Sequence, residues 1–516
     1  MAQRRTRTLI VGAGSAGVPL AARLGEDPSR EVTLLEAGPA QATPEDLLEG
    51  STIRGAMPGY RDNWVFDAEL APGHPATIAR GRALGGSTTI NGGYFVRATR
   101  ADFDRWATAG GPEWRYEQAL PILRTLENDL DFGAGQLHGT GGPMPVTRPP
   151  QTNSAAAAFV AAALELGFPI EVDKNAQGSP GAGAVPSNIV GGRRVNTGLA
   201  YADALKSLGS LGRRVVVRGN ARVLRVLTHG QRAVGVELEG GSVIEADEVI
   251  LSAGAILSPH LLLHSGIGPR DQLRAFGIPL VADLPVGAAF NDHPNLAFSW
   301  RAQPGIIDRT APFGFPTALN FDAAHLDPTL ASRPEGDIEI LLTAKPLEFL
   351  LTGSDDGSDT LQFLVALQEH SERGQLTLGS GNPLDAPRIS YRYLAGSDDR
   401  RRMRVGVRAA GALLRSRAFV DVFKGHGDDG FVDIDDATLG DDERLDAWIM
   451  AHLGTALHTC GTAPMGSVVD GAGRVIGVEG LRVADTSILP TAPHRGPANT
   501  AVFIGEFIAR RMLAGA

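Results

Sequence analysis

A strand-like segment near the start of the chain leads directly into a run of glycines, and this order restricts the fold more than any other feature. Residues 8–11 (TLIV) have the apolar, β-branched character of a buried strand. They are followed by Gly12-x-Gly14-x-x-Gly17 and then by residues 18–24, whose pattern is helical. A strand, a glycine turn and a helix in this order predict an α/β fold that begins with a Rossmann-like βαβ unit.

The glycines of such a unit have different tasks. Gly12 permits a tight turn, Gly14 lets the backbone reach a pyrophosphate, and Gly17 lets the helix pack closely on the strand. Ser15 lies at the helix start, where free N–H groups and the helix dipole favour phosphate. Glu36 closes the next strand and would accept hydrogen bonds from ribose hydroxyls. The motif predicts a dinucleotide without separating NAD from FAD, and the acidic Glu36 disfavours the 2′-phosphate of NADP.

The composition is typical of a globular enzyme. Of the 516 residues, 43% are hydrophobic and 21% are charged, and the formal net charge of −10 argues against a nucleic-acid partner. Cys460 is the single cysteine, so an intrachain disulfide is excluded and a reducing compartment is favoured. The apolar run before Gly12 is too short for a signal peptide, and no segment is long enough to span a bilayer. We therefore expect a cytoplasmic protein.

Two later segments also predict local structure. Strand-like runs on either side of Gly240-Gly241 predict a β-hairpin. The Arg-rich residues 398–417 predict a helix.

A second glycine-rich segment, GRALGGSTTINGGYFVRATRADFD, begins at Gly81. Its small residues Gly85, Gly86 and Ser87 lie beside Asn91 and could let the backbone approach a flat ring system. The segment alone can also be explained as a loop of an open α/β fold.

A third stretch separates these explanations. GAILSPHLLLHSGIG, at residues 254–268, and the segment at Gly81 resemble both signature patterns of the glucose–methanol–choline (GMC) oxidoreductases at nearly every position. Shorter similarities are HGTGGPMPV at His138, ADEVILSAGA at Ala246, NDHP at Asn291 and the closing LRVADTSILPT. They extend from the first ten residues to the last twenty, so the resemblance covers essentially the whole chain.

The resemblance implies an FAD-dependent enzyme with two interlaced domains. A Rossmann-like FAD-binding domain would comprise residues 1–150, 200–290 and 445–516. A smaller α+β substrate-binding domain, with a sheet flanked by helices, would comprise residues 151–199 and 291–444.

The same resemblance assigns residues to the parts of FAD. Those expected to hold the ADP half are Gly12, Gly14, Ser15, Gly17 and Glu36, with Val223 near the adenine; those expected at the flavin and ribityl–pyrophosphate are Gly85, Gly86, Ser87, Asn91 and Asp485. Some relatives attach FAD covalently through a histidine directly before this asparagine. That position is Ile90 here, which predicts non-covalent FAD.

His458 lies in the segment ALHTCGTAPMG. A histidine in a Gly/Thr-rich loop is by default a structural hydrogen-bonding group, and no second ligand at suitable spacing supports a metal site. The pattern H-x-x-G-T resembles, however, the stretch that carries the family's active-site base. An imidazole near its ordinary pKa can accept the alcohol proton while the adjacent carbon delivers hydride to flavin N5. We therefore predict that His458 is catalytic.

The second catalytic position departs from the family pattern. Most relatives have a histidine or asparagine where this chain has Gly496. The nearby residues His494, Arg495 and Asn499 are candidates to replace it, and His494 and Asn499 are predicted to contact substrate or flavin. Alternatively, Asn499 caps the following helix and His494 faces outward.

These features predict the FAD-dependent oxidation of a primary or secondary alcohol to an aldehyde or ketone, with electrons passed to an external acceptor that is either oxygen or a quinone or respiratory chain. The sequence does not decide between an oxidase and a dehydrogenase. The ending RGPANTAVFIGE resembles the mycofactocin-associated dehydrogenase branch, which implies an acceptor other than oxygen. Peripheral membrane contact stays open if a respiratory chain or quinone is that acceptor. The alternatives are a hydroxynitrile-lyase-like enzyme without net oxidation and a flavin electron-relay protein. The sequence predicts neither the alcohol nor the oligomeric state.

Overall fold

The computed structural model describes residues 5–41, 43–210, 214–425 and 430–515. Its strands in chain order are β1 (Thr6–Val11), β2 (Arg30–Leu35), β3 (Asn63–Ala71), β4 (His74–Gly81), β5 (Glu127–Asp129), β6 (Met144–Val146), β7 (Ala182–Ala184), β8 (Ile189–Val190), β9 (Arg193–Arg194), β10 (Arg214–Arg218), β11 (Val223–His229), β12 (Arg232–Leu238), β13 (Val243–Glu245), β14 (Glu248–Leu251), β15 (Pro294–Arg301), β16 (Thr317–Phe321), β17 (Ile338–Leu342), β18 (Thr360–Leu367), β19 (Gln375–Thr377), β20 (Arg388–Ser390), β21 (Gly454–Thr455) and β22 (Leu481–Val483).

Its α-helices in chain order are α1 (Gly17–Leu24), α2 (Glu45–Leu48), α3 (Arg100–Gly110), α4 (Tyr116–Leu126), α5 (Ser154–Glu165), α6 (Thr197–Ala200), α7 (Ala202–Ser210), α8 (Gly254–His264), α9 (Arg270–Ala275), α10 (Leu347–Thr352), α11 (Ser397–Leu414), α12 (Asp436–Gly440), α13 (Asp442–Ala451) and α14 (Ala498–Leu513). In the described part of the chain, no helix combines the length and the apolar character needed to cross a membrane.

A five-stranded parallel sheet forms the first core, in the order β10-β2-β1-β14-β22. Val11 at the end of β1 pairs with Leu35 on one side and Leu251 on the other, so these three strands end at the same edge. The apolar run of β1 is buried, as expected for a parallel strand covered on both faces. This mixed α/β architecture with a parallel sheet confirms the predicted fold class.

Helix α14, from the end of the chain, packs against α1 near its start. A Cβ added to Gly505 would lie 2.2 Å from the carbonyl oxygen of Ala16, so the two backbones approach as closely as only glycine allows. The first and last helices are thereby locked together beside the glycine turn.

A six-stranded antiparallel sheet forms the second core, in the order β21-β15-β18-β17-β16-β7. Along β15 buried and partly buried residues alternate, the period-2 pattern of a strand with two different faces. Helix α11 covers one face, where Val365 and Ile338 lie within 3.2 Å of the position of a Cβ on Gly406. The opposite face is left for the site described below.

Both local predictions are confirmed. β12 and β13 pair antiparallel around Gly240 and Gly241, whose φ angles are +89° and +82°. The Arg-rich helix is α11, which ends at Leu414, three residues before the predicted end. The predicted division of the chain into two interlaced domains stays a prediction.

Candidate active site

A large cavity lies between the carboxyl ends of the parallel sheet and the free face of the antiparallel sheet. Its lining brings together ten of the residues predicted from the sequence: Gly12, Gly14, Ser15, Glu36, Gly86, Ser87, Asn91, Val223, His458 and Asp485. The described lining does not include Gly17, Gly85, His494 or Asn499.

The first glycine turn is built from backbone contacts that exclude side chains. Gly12 has φ +102°, and a Cβ there would lie 2.4 Å from the carbonyl oxygen of Ser252. A Cβ on Gly17 would lie 1.9 Å from the carbonyl oxygen of Gly12, so this glycine serves close packing and does not line the cavity. At Gly14, by contrast, the nearest atom to an added Cβ is the Cα of Gly86, at 3.8 Å. The backbone at Gly14 is therefore open to a ligand.

Glu36 presents a buried carboxylate to the same end of the cavity. Its Oε2 accepts a hydrogen bond from the N–H of Ala13 at 3.0 Å, and its Oε1 accepts one from Gly38 at 2.9 Å. Burial raises the pKa of Glu36 to about 7 and outweighs these backbone bonds, which lower it. Hydroxyl donors from a ribose would satisfy the remaining lone pairs, so this end fits the sugar of a dinucleotide.

The second glycine turn touches the first. Gly86 has φ +52°, and a Cβ there would lie 2.7 Å from the Cα of Gly14. Gly85, expected to line the flavin, instead shapes the turn: its φ is +96°, and an added Cβ would lie 2.7 Å from Oγ1 of Thr89. Asn91 lines the cavity with its Oδ1 fixed by the N–H of Gly93 at 3.0 Å. Small residues thus keep this wall flat, which suits an aromatic ring system.

Asp485 joins the end of β22 to the start of α8. Its Oδ2 accepts hydrogen bonds from the N–H of Gly254 at 2.9 Å and from Oγ of Ser258 at 2.6 Å. Its Oδ1 accepts bonds from the N–H and Oγ of Ser487. Burial raises the pKa of Asp485 above its ordinary value, while these bonds oppose the rise. Asp485 therefore fixes the backbone of the cavity wall as well as lining it.

His458 also lines the cavity, in a loop whose backbone is constrained. The preceding Leu457 has φ +64°, which is uncommon for a non-glycine residue. The N–H of His458 donates to Oδ1 of Asp292 at 2.8 Å, and its Nδ1 lies 2.8 Å from Nδ1 of His293. Nδ1 is thus engaged inside the protein, which leaves Nε2 for the cavity.

The pKa of His458 is lowered, chiefly by burial, and the charges of Asp292 and Glu339 counteract this only in part. Its imidazole is therefore neutral at physiological pH and able to accept a proton. A neutral imidazole with a free nitrogen in a buried cavity can act as a general base.

The wall opposite the glycine turns belongs to the antiparallel sheet. In the register of this sheet, Ala366 of β18 pairs with Asn295 of β15 on one side and with Glu339 of β17 on the other. All three residues line the cavity. Tyr94 donates its hydroxyl to Oε2 of Glu339 at 2.8 Å, and Asn320 donates to the same oxygen at 3.0 Å. This wall of the cavity therefore carries a carboxylate and a phenol.

Gly496 occupies the position at which the family resemblance predicts a second polar residue. A Cβ added there would lie 3.0 Å from Cδ1 of Tyr94 and 3.4 Å from Cε1 of His458. No side chain separates Tyr94 from the ring of His458 at this point. The absence of a side chain at Gly496 gives its space to the cavity.

The structure does not bring His494 to the cavity. Its Nδ1 lies 2.9 Å from Oδ1 of Asp102, and its Nε2 lies 3.1 Å from Oε2 of Glu369. Burial alone would lower its pKa, but the charge of Asp102 and the bonds to both carboxylates raise it. Both ring nitrogens are thus held in a buried ion cluster, so we correct the catalytic prediction for His494, and the outward-facing alternative is wrong as well.

Asn499 is the second residue of α14 and is also absent from the described lining. Pro497 is the N-cap, with no side-chain cap bond, so the capping alternative for Asn499 is wrong. The side chain is buried, and neither its Oδ1 nor its Nδ2 has a partner among the described residues. The predicted contact of Asn499 with substrate or flavin stays a prediction, and both atoms of its amide, unpaired in the described part of the chain, are available for it.

Several residues of the site were not singled out in the sequence. Asp292 and His293 belong to the NDHP segment and Tyr94 to the glycine-rich block, so these similarities marked their neighbourhoods. Glu339 had no signal, because a glutamate in a strand-like run predicts an exposed position and here it is buried.

Comparison with known proteins agrees with this geometry. The family model described as GMC oxidoreductase matches residues 6–295 with its N-terminal part and residues 370–505 with its C-terminal part. A GMC-type oxidoreductase of Rhodococcus erythropolis is 40% identical over 514 residues, covering 96% of each chain. The oxygen-dependent choline dehydrogenase of Escherichia coli is 34% identical, covering 97% of this chain and 94% of its own.

Solved structures of two oxidases share the fold. Pyridoxine 4-oxidase from Mesorbium loti has a TM-score of 0.88 at 26% identity and covers 99% of both chains. A formate oxidase variant from Aspergillus oryzae also has a TM-score of 0.88, at 23% identity, covering 100% of this chain and 99% of its own. With the cavity and its glycine turns, these matches show that the chain belongs to the GMC oxidoreductases, FAD-binding enzymes whose members act on alcohols.

Proposed function

We propose that this chain binds FAD in the cavity and oxidises an alcohol, with His458 as the base. The observation that carries the proposal is the position of His458. Its Nδ1 is engaged by His293, and its ring lines the cavity that the predicted FAD-binding residues also line. When bound, the flavin supplies a hydride acceptor at N5.

The protein's own residues would orient and deprotonate the alcohol. Nε2 of neutral His458 accepts the hydroxyl proton, and the protonated ring then donates a hydrogen bond to the substrate oxygen. The carboxylates of Asp292 and Glu339 favour the charged ring, because both raise the pKa of His458. The reaction thus gains electrostatic support as the proton arrives.

We further propose that the alcohol carries a second group that favours a carboxylate partner, either a hydrogen-bond donor or a cationic nitrogen. Glu339 and Tyr94 form the polar part of the substrate wall, and the absence of a side chain at Gly496 leaves room beside them. The names of two similar proteins agree with this, because choline is an alcohol with a cationic nitrogen and pyridoxine is an alcohol with a basic ring nitrogen. Replacement by Glu339→Gln should raise KM for such alcohols more than for simple aliphatic alcohols of the same length. Equal KM changes for both classes would contradict a contact with Glu339.

The base is tested by flavin absorbance under argon. Purified protein is mixed with a panel of alcohols, and the wild type should bleach with at least one of them. His458→Asn should reduce the rate by about 10²- to 10⁴-fold, the contribution typical of a general base. The exposed His229 provides the control His229→Asn, which should bleach at the wild-type rate. Equal rates in His458→Asn and the wild type would refute the assignment.

The same samples address the electron acceptor and the alternative reaction. Recolouring on admission of air would identify an oxidase. Persistence of the bleached form until a quinone or dye is added would identify a dehydrogenase, as expected from the resemblance to the mycofactocin-associated branch. Cleavage of a cyanohydrin without bleaching would favour the lyase alternative and contradict alcohol oxidation.

We also propose that FAD is held without a covalent bond. Ile90 lines the cavity at the position where some relatives have the histidine that attaches it, and its side chain offers no nucleophile. FAD should therefore pass an ultrafiltration membrane after the protein is denatured, and retention with the protein would contradict the proposal.

A further inference from the structure

A second imidazole lies directly behind His458. His293 is completely buried at the start of β15, and its Nδ1 is 2.8 Å from Nδ1 of His458. The two rings are nearly perpendicular, at 85°, with their centroids 5.0 Å apart. A separation of 2.8 Å between two ring nitrogens is a hydrogen bond, so one of the two must carry the proton.

The direction of this bond decides what His458 can do. If Nδ1 of His458 carries the proton and donates it, Nε2 is a free acceptor in the cavity. If Nδ1 of His293 donates instead, the proton of neutral His458 is on Nε2, and that nitrogen cannot accept another. Proton abstraction from an alcohol therefore requires His293 to be the acceptor.

The backbone around the pair is fixed independently of the rings. Oδ1 of Asp292 accepts the N–H of His458 at 2.8 Å and the N–H of His293 at 2.6 Å. Its Oδ2 accepts the hydroxyl of Thr459 at 2.7 Å. One buried carboxylate thus holds both residues by their main chains, and His293 is the described partner of the His458 ring.

We propose that His293 is a positioning residue for the alcohol oxidation: by accepting the Nδ1 proton of His458, it directs the Nε2 lone pair of His458 into the cavity. The inference rests on the proposed role of His458 as base. Nε2 of His293 has no partner among the described residues, and an unpaired buried N–H costs about 1–3 kcal/mol. This cost is offset when His458 takes up the alcohol proton. The doubly protonated ring can only donate from Nδ1, and its charge-assisted bond to His293 is stronger than a bond between neutral rings.

His293 is suited to accept because it stays neutral. Burial lowers its pKa well below the ordinary value, and the charges of neighbouring histidines lower it further. No described carboxylate is hydrogen-bonded to its ring. The titratable and charged groups that influence the pair are Arg80, Asp102, Asp292, Glu339, His370 and His494.

The chain offers a matched pair of substitutions. In His293→Asn the amide occupies the place of Nδ1 and can still accept from His458. In His293→Gln the same amide occupies the place of Nε2, away from His458, although glutamine fills the volume of histidine better. If His293 only fills space, His293→Gln should keep the higher rate of flavin reduction. If His293 positions His458, His293→Asn should keep the higher rate.

Two readouts on the FAD-loaded protein test the proposal. With ¹⁵N-labelled histidine, and His458 assigned from the spectrum of His458→Asn, resting wild type and His293→Asn should show a protonated Nδ1 and an unprotonated Nε2. In His293→Gln this tautomer preference should be lost. Flavin reduction should fall by roughly 10- to 100-fold in His293→Gln, as for other partners that orient a functional histidine, and by less than about 10-fold in His293→Asn.

The outcomes separate this inference from the proposed function. An unchanged rate of flavin reduction in His458→Asn would refute the assignment of His458 as the base. Loss of reduction in His458→Asn, with His293→Gln at least as fast as His293→Asn, would refute the positioning role alone. A wild-type spectrum with the proton on Nε2 of His458 would also overturn it.

Discussion

Glu36 should destabilise the cofactor-free protein at neutral and higher pH. Its pKa is raised from 4.5 to about 7, mainly by burial, so the folded state binds a proton more tightly than the unfolded chain does. The stability that this protonation gives is complete below about pH 4.5 and is lost as the pH rises through about 7. At 1.36 kcal/mol per pH unit, the loss between pH 5 and 8 is about 2.5 kcal/mol.

The variant Glu36→Gln removes this titration. The glutamine oxygen can accept from only one of the two backbone donors, Ala13 or Gly38, which costs a pH-independent amount of about 1–3 kcal/mol. The informative quantity is therefore the change with pH and not the stability at one pH. Relative to wild type, the free energy of unfolding of Glu36→Gln should rise by about 2–3 kcal/mol between pH 5 and 8.

Urea unfolding of cofactor-free protein at intervals of half a pH unit measures this difference. The control Glu239→Gln removes an exposed carboxylate and should follow the wild-type curve at every pH. Parallel curves for Glu36→Gln and wild type would refute the raised pKa of Glu36. If a ribose of FAD donates to Glu36, FAD should also bind more weakly on acidification from pH 8 to 6 in wild type, and this dependence should be smaller in Glu36→Gln.

Two further substitutions test the packing of the fold. His138→Gln should lower the free energy of unfolding at pH 7 by about 3–5 kcal/mol, because bonds to Asp129, Asp173 and Glu127 outweigh burial and raise the pKa of His138 to about 10. The deficit relative to wild type should be largest below about pH 6.5 and should shrink as the pH rises from there to about 10, because the charged ring stabilises the fold only below its folded pKa; a constant deficit would contradict this. Gly505→Ala should lower the free energy of unfolding by about 1–3 kcal/mol, because its Cβ would lie 2.2 Å from a carbonyl oxygen. The control Gly440→Ala has open space in its helix and should be neutral or slightly stabilising in thermal unfolding. Equal melting temperatures for the two variants would contradict the close contact at Gly505.

Local motifs predicted much of the site. The glycine turns, Glu36 and Asn91 were located from the sequence because their positions follow from short-range backbone geometry, which a motif encodes. His458 was located by its similarity to a family segment, and it lines the cavity as expected.

Long-range partners explain what the sequence could not predict. His494 is hydrogen-bonded to Asp102, a residue 392 positions away, and no sequence feature near His494 predicts that contact. The strand-like run of β17 does not show which of its residues lie against the cavity, so Glu339 was missed. The acceptor behind His458 was hidden for the same reason, because His293 is 165 positions from it.

The arrangement of the parallel sheet also sets when during synthesis the site can form. β1 and β2 leave the ribosome long before β22, which completes their sheet and begins at Leu481. His458 and α14 come from the same late segment. A nascent chain that lacks this segment therefore carries the dinucleotide turn without β22, His458 or α14, and its exposed apolar surface favours aggregation. A chain truncated before residue 481 lacks part of the cavity lining, so we expect it to bind no added FAD.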